Sequence, residues 1–112
     1  MYKFILAALL LLVSSPGLAE TPAARGKALY MKVGCYQCHG TVGQGGTAGL
    51  RLAPDPLPWQ QFAQFVHNTA GIMPPYREQA LPAADLKDIY TYLQTIPKPR
   101  DLSRYPLLAP FR

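Results

Sequence analysis

The sequence predicts an all-α fold with three main helices. Three segments repeat apolar residues at the three- and four-residue spacing of an amphipathic helix, namely 23–33, 59–69 and 82–96. No segment shows the strict apolar and polar alternation that is typical of a half-buried strand. Between the helical segments the chain is rich in glycine and proline, which interrupt regular structure. We therefore expect helices joined by irregular loops.

The amino terminus has the pattern of a secretory signal peptide over residues 1–19. Lys3 precedes an apolar run at 4–13, and small residues follow up to Ala19. The run is shorter than the roughly 20 apolar residues that cross a bilayer, so cleavage after Ala19 is favoured over an uncleaved membrane anchor. We expect export to the bacterial periplasm without a stable membrane anchor, and one mature domain at 20–112.

The first helix of the mature domain has a clear start signal. Thr21 is a good N-cap residue, and Pro22 suits the first turn because its missing N–H needs no partner there. The helix is expected to continue over 23–33, with Gly26 and Tyr30 on one face. It leads directly into a cysteine-containing motif.

Two further helices are expected after a loop rich in glycine and proline at 40–58. Segment 59–69 has an apolar side and should end near Gly71 as a C-cap. Segment 82–96 is stopped by Pro97. The remaining tail, about 98–112, combines prolines with apolar side chains, so we expect it to be extended and to lie against another surface.

The motif Cys35-Tyr36-Gln37-Cys38-His39 is the strongest functional signal in the chain. The pattern C-x-x-C-H is that of covalent haem attachment through two thioether bonds, with the adjacent histidine as an iron ligand. On a helical turn the first cysteine shares a face with the second cysteine and the histidine, so three side chains can hold one cofactor. The pattern predicts one covalently bound haem c.

Other chemistries for these residues are less well supported. A thioredoxin-like motif should follow a strand in a βαβ pattern, which this sequence lacks. Structural zinc requires four ligands at matched spacing, whereas the two cysteines and two histidines of this chain lack that spacing, since His39 directly follows Cys38. A disulfide between Cys35 and Cys38 would close so small a loop that it would contribute little stability.

A second iron ligand is expected at Met73. Two prolines follow it and restrict its backbone to an extended conformation, which can hold the thioether sulfur in place. His67 is the alternative ligand, although its position in a helix favours a solvated or lightly packed side chain. Met31 is expected to be a packing residue of the first helix.

These segments together resemble the class I c-type cytochromes, which are small soluble monohaem electron carriers with an all-helical fold. The resemblance spans nearly the whole mature chain. It depends on Gly26 and Tyr30, on the motif at 35–40, on the Met-Pro-Pro-Tyr segment at 73–76, and on 88–93 in the last helix. It implies a cytochrome c fold in which three main helices surround a covalently bound haem.

The resemblance also implies roles for individual residues. Cys35 and Cys38 match the thioether attachment sites, and His39 and Met73 match the axial ligands of the haem iron. Gly26 and Tyr30 match positions where the first helix crosses the last one, near Ile89 and Tyr92. The chain departs from the family at Gly49-Leu50, where many members have Gly-Pro with a carbonyl that accepts a hydrogen bond from the proximal imidazole. The carbonyl of Leu50 could still accept that bond.

Two protein ligands would leave the iron without an open position, which favours an electron carrier over an enzyme. We expect the protein to accept electrons from a periplasmic dehydrogenase, as a free shuttle or as its cytochrome subunit. The alternative is a haem-based sensor or a peroxidase, either of which needs an open or labile sixth position.

The charge of the chain indicates the kind of partner. Its formal net charge is +5 and its basic residues are scattered singly, which favours acidic redox partners and argues against nucleic acid. Lys27, Lys32 and Arg77 lie nearest in sequence to the motif and the methionine loop, so they are candidates for a docking rim. Arg51 and Trp59 are candidates for contacts with the haem propionates.

Overall fold

The computed structural model describes residues 19–101 and 104–107, and this part of the chain contains four helices. They are α1 (Pro22–Lys32), α2 (Tyr36–His39), α3 (Trp59–Asn68) and α4 (Ala83–Gln94). The described residues form no strand, which confirms the all-α fold class. The predicted signal peptide lies outside the described residues, apart from Ala19. Within the described ranges, no helix has the length and apolar character needed to cross a membrane.

Helix α1 begins and ends close to the predicted positions. The hydroxyl oxygen of Thr21 accepts a hydrogen bond from the backbone N–H of Ala24 at 3.2 Å, as expected of an N-cap. After α1, Gly34 takes a positive φ of 86°, which a side chain would disfavour, and the chain turns into the motif. The backbone N–H of Cys35 then donates to the carbonyl of Tyr30 at 3.2 Å. The motif is thus joined directly to the end of α1.

Helices α1 and α4 cross at backbone contact distance. A Cβ atom added to Gly26 would lie 1.9 Å from the carbonyl oxygen of Asp88, so only glycine permits this crossing. Further along, the rings of Tyr30 and Tyr92 meet edge to face, with centroids 5.7 Å apart. The buried carboxylate of Asp88 accepts a hydrogen bond from the guanidinium of Arg25 at 2.5 Å. The crossing places the C-terminal end of α1 firmly against α4.

Helix α3 contributes Phe62 and Val66 to the core, both of them buried. The predicted C-cap at Gly71 is wrong: the helix ends at Asn68, and Thr69 already has an extended backbone with ψ of 144°. The N–H of Thr69 still donates to the carbonyl of Phe65 at 2.9 Å, which closes the last turn. The chain therefore leaves the helix earlier and runs directly into the methionine loop.

Helix α4 begins after Pro82 and ends two residues before the predicted Ile96. Its buried residues include Leu86, Ile89 and Leu93, which are almost fully shielded from solvent. The hydroxyl of Thr95 donates to the carbonyl of Tyr92 and caps the last turn, which ends the helix before Pro97. The predicted tail is only partly described: residues 104–107 are exposed, and 102–103 and 108–112 lie outside the described residues.

Candidate haem site

The motif forms a helical turn that brings its three chemical groups together. Cys35 has a helical backbone and precedes α2, which contains Cys38 and His39. Both cysteines are free thiols. Cys35 and Cys38 are three residues apart on this turn, the spacing that places two side chains on one face of a helix. Two thiols and an imidazole are thus presented from one short segment.

The environment of Cys35 differs from that of a reactive redox cysteine. Burial raises the pKa of its thiol to about 11, because the charged thiolate would lose its hydration. Thioredoxin-like cysteines have the opposite perturbation, a pKa below the ordinary value. The structure therefore gives no support to a thiol redox site. Likewise, no group of three or more His, Cys, Asp or Glu residues in the described ranges could hold a metal ion without haem.

Two tyrosine hydroxyls hold the backbone that follows the motif. The hydroxyl of Tyr30 in α1 donates to the carbonyl of Gly40 at 2.7 Å, and that of Tyr92 in α4 donates to the carbonyl of Thr41 at 2.9 Å. Burial raises the pKa of both phenols, so they remain protonated donors at neutral pH. The crossing helices thereby fix the position of the segment that carries His39.

The imidazole of His39 is oriented by the loop that follows the motif. Its Nδ1 lies 2.7 Å from the carbonyl oxygen of Leu50, and a carbonyl can only accept, so Nδ1 is the donor. The chain thus makes, with Leu50, the hydrogen bond that the resemblance placed there. A Cβ atom at Gly49 would lie 2.9 Å from the same Nδ1, so the loop approaches the ring closely. Nε2 is therefore the ring nitrogen that would be available to a haem iron.

Met73 lies in the loop between α3 and α4 and is half-buried against the core. The loop is anchored at Tyr76, whose hydroxyl donates to the carbonyl of Val33 at 2.9 Å. Burial raises the pKa of this phenol as well. Because Val33 lies just after α1 and just before the motif, this bond ties the methionine loop to the attachment segment. Sequence reasoning missed all three tyrosine bonds.

An apolar cavity of about 290 Å³ connects these parts of the structure. Cys35, His39 and Met73 line it together, and almost all the remaining lining residues are apolar. A second cavity of about 190 Å³ shares these three residues and adds Cys38. All four residues predicted to bind the cofactor therefore border adjoining cavities.

The lining residues fit a haem. Leu50, Leu57 and Phe65 border the larger cavity and are 82%, 53% and 54% exposed, which is unusual for large apolar side chains. A bound apolar macrocycle would cover them and recover the hydrophobic free energy of their burial. The donor set also fits, because thiols, imidazole and thioether are the groups that hold a c-type haem.

The other candidates from the sequence, apart from Arg51, do not line either cavity. His67 does not line either cavity, and its Nδ1 bonds to the carbonyl of Tyr76. Met31 is partly exposed on α1 and also lies away from the lining. Arg51 is exposed and lines the larger cavity, whereas Trp59 packs against Tyr90 with ring centroids 5.4 Å apart. Of the two candidates for propionate contacts, only Arg51 borders the cavity.

The helical fold, the attachment motif and the apolar cavity together define a c-type cytochrome domain. A family model described as cytochrome C oxidase, cbb3-type, subunit III, matches residues 21–93. The chain therefore belongs to this family of c-type cytochrome domains. No curated protein and no solved structure matches it. A domain of this family binds haem and serves electron transfer.

Proposed function

We propose that the chain carries one electron on a single haem c, attached at Cys35 and Cys38 and ligated by His39 and Met73. The observation that supports this most directly is that Cys35, His39 and Met73 line one apolar cavity. The haem would supply the one-electron iron couple. The chain supplies two ligands, a hydrogen bond that orients one of them, and walls that exclude water.

Met73 decides between the electron carrier and its rivals. With His39 and Met73 both on the iron, no position is open to oxygen or peroxide, whereas a sensor or peroxidase needs one. Met73 is suited to this role because it is held half-buried at the cavity while Pro74 and Pro75 restrict its loop. The carrier is therefore the better supported function.

The spectrum of the ferric holoprotein tests this proposal. We expect a low-spin form with a methionine–iron charge-transfer band, which Met73→Ala should lose while the haem remains covalently attached. Met31→Ala is the matched control, because Met31 does not line either cavity. A high-spin wild-type spectrum would favour the sensor or peroxidase. A band that survives in Met73→Ala would mean that another methionine, such as Met31, is the ligand. A low-spin wild-type spectrum without the band would point to a nitrogen ligand such as His67.

We also propose that the domain acts in the periplasm after removal of residues 1–19. The signal-like amino terminus supports export, since its apolar run is short and is followed by small residues. N-terminal sequencing of periplasmic material should find Glu20 as the first residue. A membrane-bound form that retains Met1 would contradict the proposal.

The proposed electron donor is an acidic periplasmic dehydrogenase, with the chain as its shuttle or its cytochrome subunit. The description of the matched family names an oxidase subunit, which supports an oxidase as a second candidate partner on the accepting side. Co-purification from the periplasm distinguishes a subunit from a shuttle. A subunit should remain with its enzyme and be released when residues 98–112 are deleted, whereas a shuttle should be recovered alone.

Docking to an acidic partner is proposed to involve Lys27, Lys32 and Arg77, which are all exposed. Charges around a redox site accelerate association, and the effect decreases as salt screens them. Replacing all three by glutamine should lower the second-order reduction rate at low salt and flatten its salt dependence. Lys87→Gln is the control, because Lys87 is exposed on α4, lies over the ring of Trp59 and does not line either cavity. Equal effects of the two changes would refute the docking rim.

A further inference from the structure

Among the described residues, Tyr76 makes all the hydrogen bonds that join the loop carrying Met73 to other elements. The backbone N–H of Tyr76 donates to the carbonyl of Val66 at 2.9 Å. Its carbonyl oxygen lies 2.5 Å from Nδ1 of His67. Two consecutive residues in the last turn of α3 therefore hold both backbone polar groups of Tyr76.

The rest of the loop has little to fix it. Over residues 70–75, all of which the structure describes, no hydrogen bond reaches another element; the one bond is the 3.5 Å contact from the N–H of Gly71 to the hydroxyl of Thr69. Ile72 is fully exposed, and no atom lies within 4 Å of a Cβ added at Gly71. Upstream of Met73 the loop is thus free of support. Apart from its own packing against the core, Met73 is positioned by the anchor three residues downstream and by the two stiff prolines between them.

The two ring nitrogens of His67 differ in their hydrogen bonding. The carbonyl of Tyr76 can only accept, so Nδ1 of His67 carries the hydrogen and donates it. The other ring nitrogen, Nε2, is buried and has no hydrogen-bond partner among the described residues. A buried polar atom without a partner is unfavourable, so an apolar side chain of similar size would suit packing better. The benefit that offsets this cost is the bond to the loop.

We infer that His67 is a positioning residue for Met73, which it holds at the cavity through the Tyr76 carbonyl. The inference rests on the proposed ligation of the iron by Met73. It assigns to His67 a role in retaining the sixth ligand without contact between His67 and the iron. Losing the donor should make Met73 easier to displace, because the Tyr76 N–H and hydroxyl bonds would then be the remaining hydrogen bonds from the loop to other described elements.

The test uses imidazole as an added ligand that competes with Met73 in the ferric holoprotein. His67→Leu keeps the size of the side chain and removes the donor. We expect its apparent imidazole binding constant to rise about two- to tenfold, the effect of one hydrogen bond on an equilibrium. His67→Asn should stay within about twofold of wild type, because its amide nitrogen sits one bond beyond Cγ, as Nδ1 does, and can still donate.

A matched control comes from the neighbouring residue. The amide of Asn68 donates to the carbonyl of Gln64 at 3.0 Å, so this hydrogen bond lies within α3 and does not reach the loop. Asn68→Leu therefore removes a hydrogen bond from the same turn and should leave imidazole binding unchanged. If it raises imidazole binding as much as His67→Leu does, the effect is one of helix stability and the inference is overturned.

The remaining outcomes separate this inference from the proposed ligation. If wild type shows the charge-transfer band and His67→Leu binds imidazole as wild type does, only the inference is overturned and the ligation by Met73 stands. A band that is absent from wild type overturns the Met73 ligation and the inference with it. If His67→Leu yields no holoprotein, His67→Gln replaces it, since its amide nitrogen lies one bond too far to replace Nδ1. Equal imidazole binding by His67→Gln and His67→Asn would then refute the inference.

Discussion

Replacing Gly49 by alanine should disturb the hydrogen bond that orients His39. Gly49 has no positive φ, so the backbone tolerates alanine and the effect is purely steric. Its new Cβ would lie 2.8 Å from the carbonyl oxygen of Cys38 and 2.9 Å from Nδ1 of His39. Ordinary contacts begin near 3.4 Å, so the loop must retreat by several tenths of an ångström.

The size of the effect follows from these distances. The bond from Nδ1 of His39 to the carbonyl of Leu50 is now 2.7 Å. A retreat of about 0.5 Å would lengthen it to the outer limit of an N–H···O bond, near 3.2 Å. Overpacking costs about 1–3 kcal/mol and a weakened hydrogen bond adds about 0.5–1.5 kcal/mol. Reduced entropy of the unfolded chain offsets about 0.4–1 kcal/mol. We expect the free energy of unfolding to decrease by about 0.5–4 kcal/mol, with a central value of about 2 kcal/mol.

Gly46→Ala is a matched control on the same loop. Gly46 also lacks a positive φ, and the nearest atom to its added Cβ is the carbonyl oxygen of Cys38 at an ordinary 3.6 Å. Guanidinium unfolding of the holoproteins, followed by the fluorescence of the single tryptophan, Trp59, gives the two free energies. NMR exchange of the Nδ1 proton of His39 reports the bond itself and should be faster in Gly49→Ala. Equal stability and equal exchange in the two variants would show that the close approach has no energetic consequence.

Three other predictions concern the crossing, the tyrosines and the attachment. Gly26→Ala should lower the free energy of unfolding by more than about 3 kcal/mol or prevent holoprotein formation, because its Cβ would lie 1.9 Å from a backbone oxygen of α4. Gly71→Ala is the control and should leave the thermal unfolding temperature unchanged, because its Cβ would meet no atom within 4 Å. Burial raises the pKa of the Tyr92 phenol, so the unfolded state releases this proton at a lower pH than the folded state does. The free energy of unfolding should therefore fall as pH rises above about 10. In urea unfolding, Tyr92→Phe should be less stable than wild type at pH 7 and should show a weaker decline at alkaline pH. Cys35→Ala and Cys38→Ala should each leave at most one thioether, and a fully covalent haem in mass spectrometry of either variant would contradict the assigned attachment.

The parts of the site that the sequence predicts are the local ones. The motif, Met73 and the helices depend on residues a few positions apart, whose spacing carries the signal. The hydrogen bond from His39 to the carbonyl of Leu50 is predicted only through the family resemblance. The ends of the helices are predicted less closely. Thr69 leaves the helical conformation before Gly71, and nothing in its residue type indicates this.

Long-range hydrogen bonds could not be predicted because their partners are far apart in the chain. Tyr92 and Thr41 are 51 residues apart, and Tyr76 and Val33 are 43 apart. A tyrosine on an apolar helix face indicates burial, but which carbonyl its hydroxyl meets depends on how the helices cross. For His67 the sequence favours a solvated or lightly packed side chain, and its bond to the Tyr76 carbonyl follows only from the path of the methionine loop.

The three tyrosine bonds explain how so short a helix as α2 can be held in place. A helix of four residues leaves most of its backbone groups without helical partners, and so do the turns that flank it. Hydroxyls from α1, α4 and the methionine loop bond to carbonyls on both sides of the motif. Phenylalanine at these positions would preserve the packing and remove one hydrogen bond each, at about 0.5–1.5 kcal/mol, or about 1–3 kcal/mol where the carbonyl stays buried without another partner. The carbonyl of Gly40 would keep its bond from the N–H of Gly43. The attachment segment is thus positioned by side chains from elements on either side of it in sequence, and its geometry depends on the Gly26 crossing that brings Tyr30 and Tyr92 together.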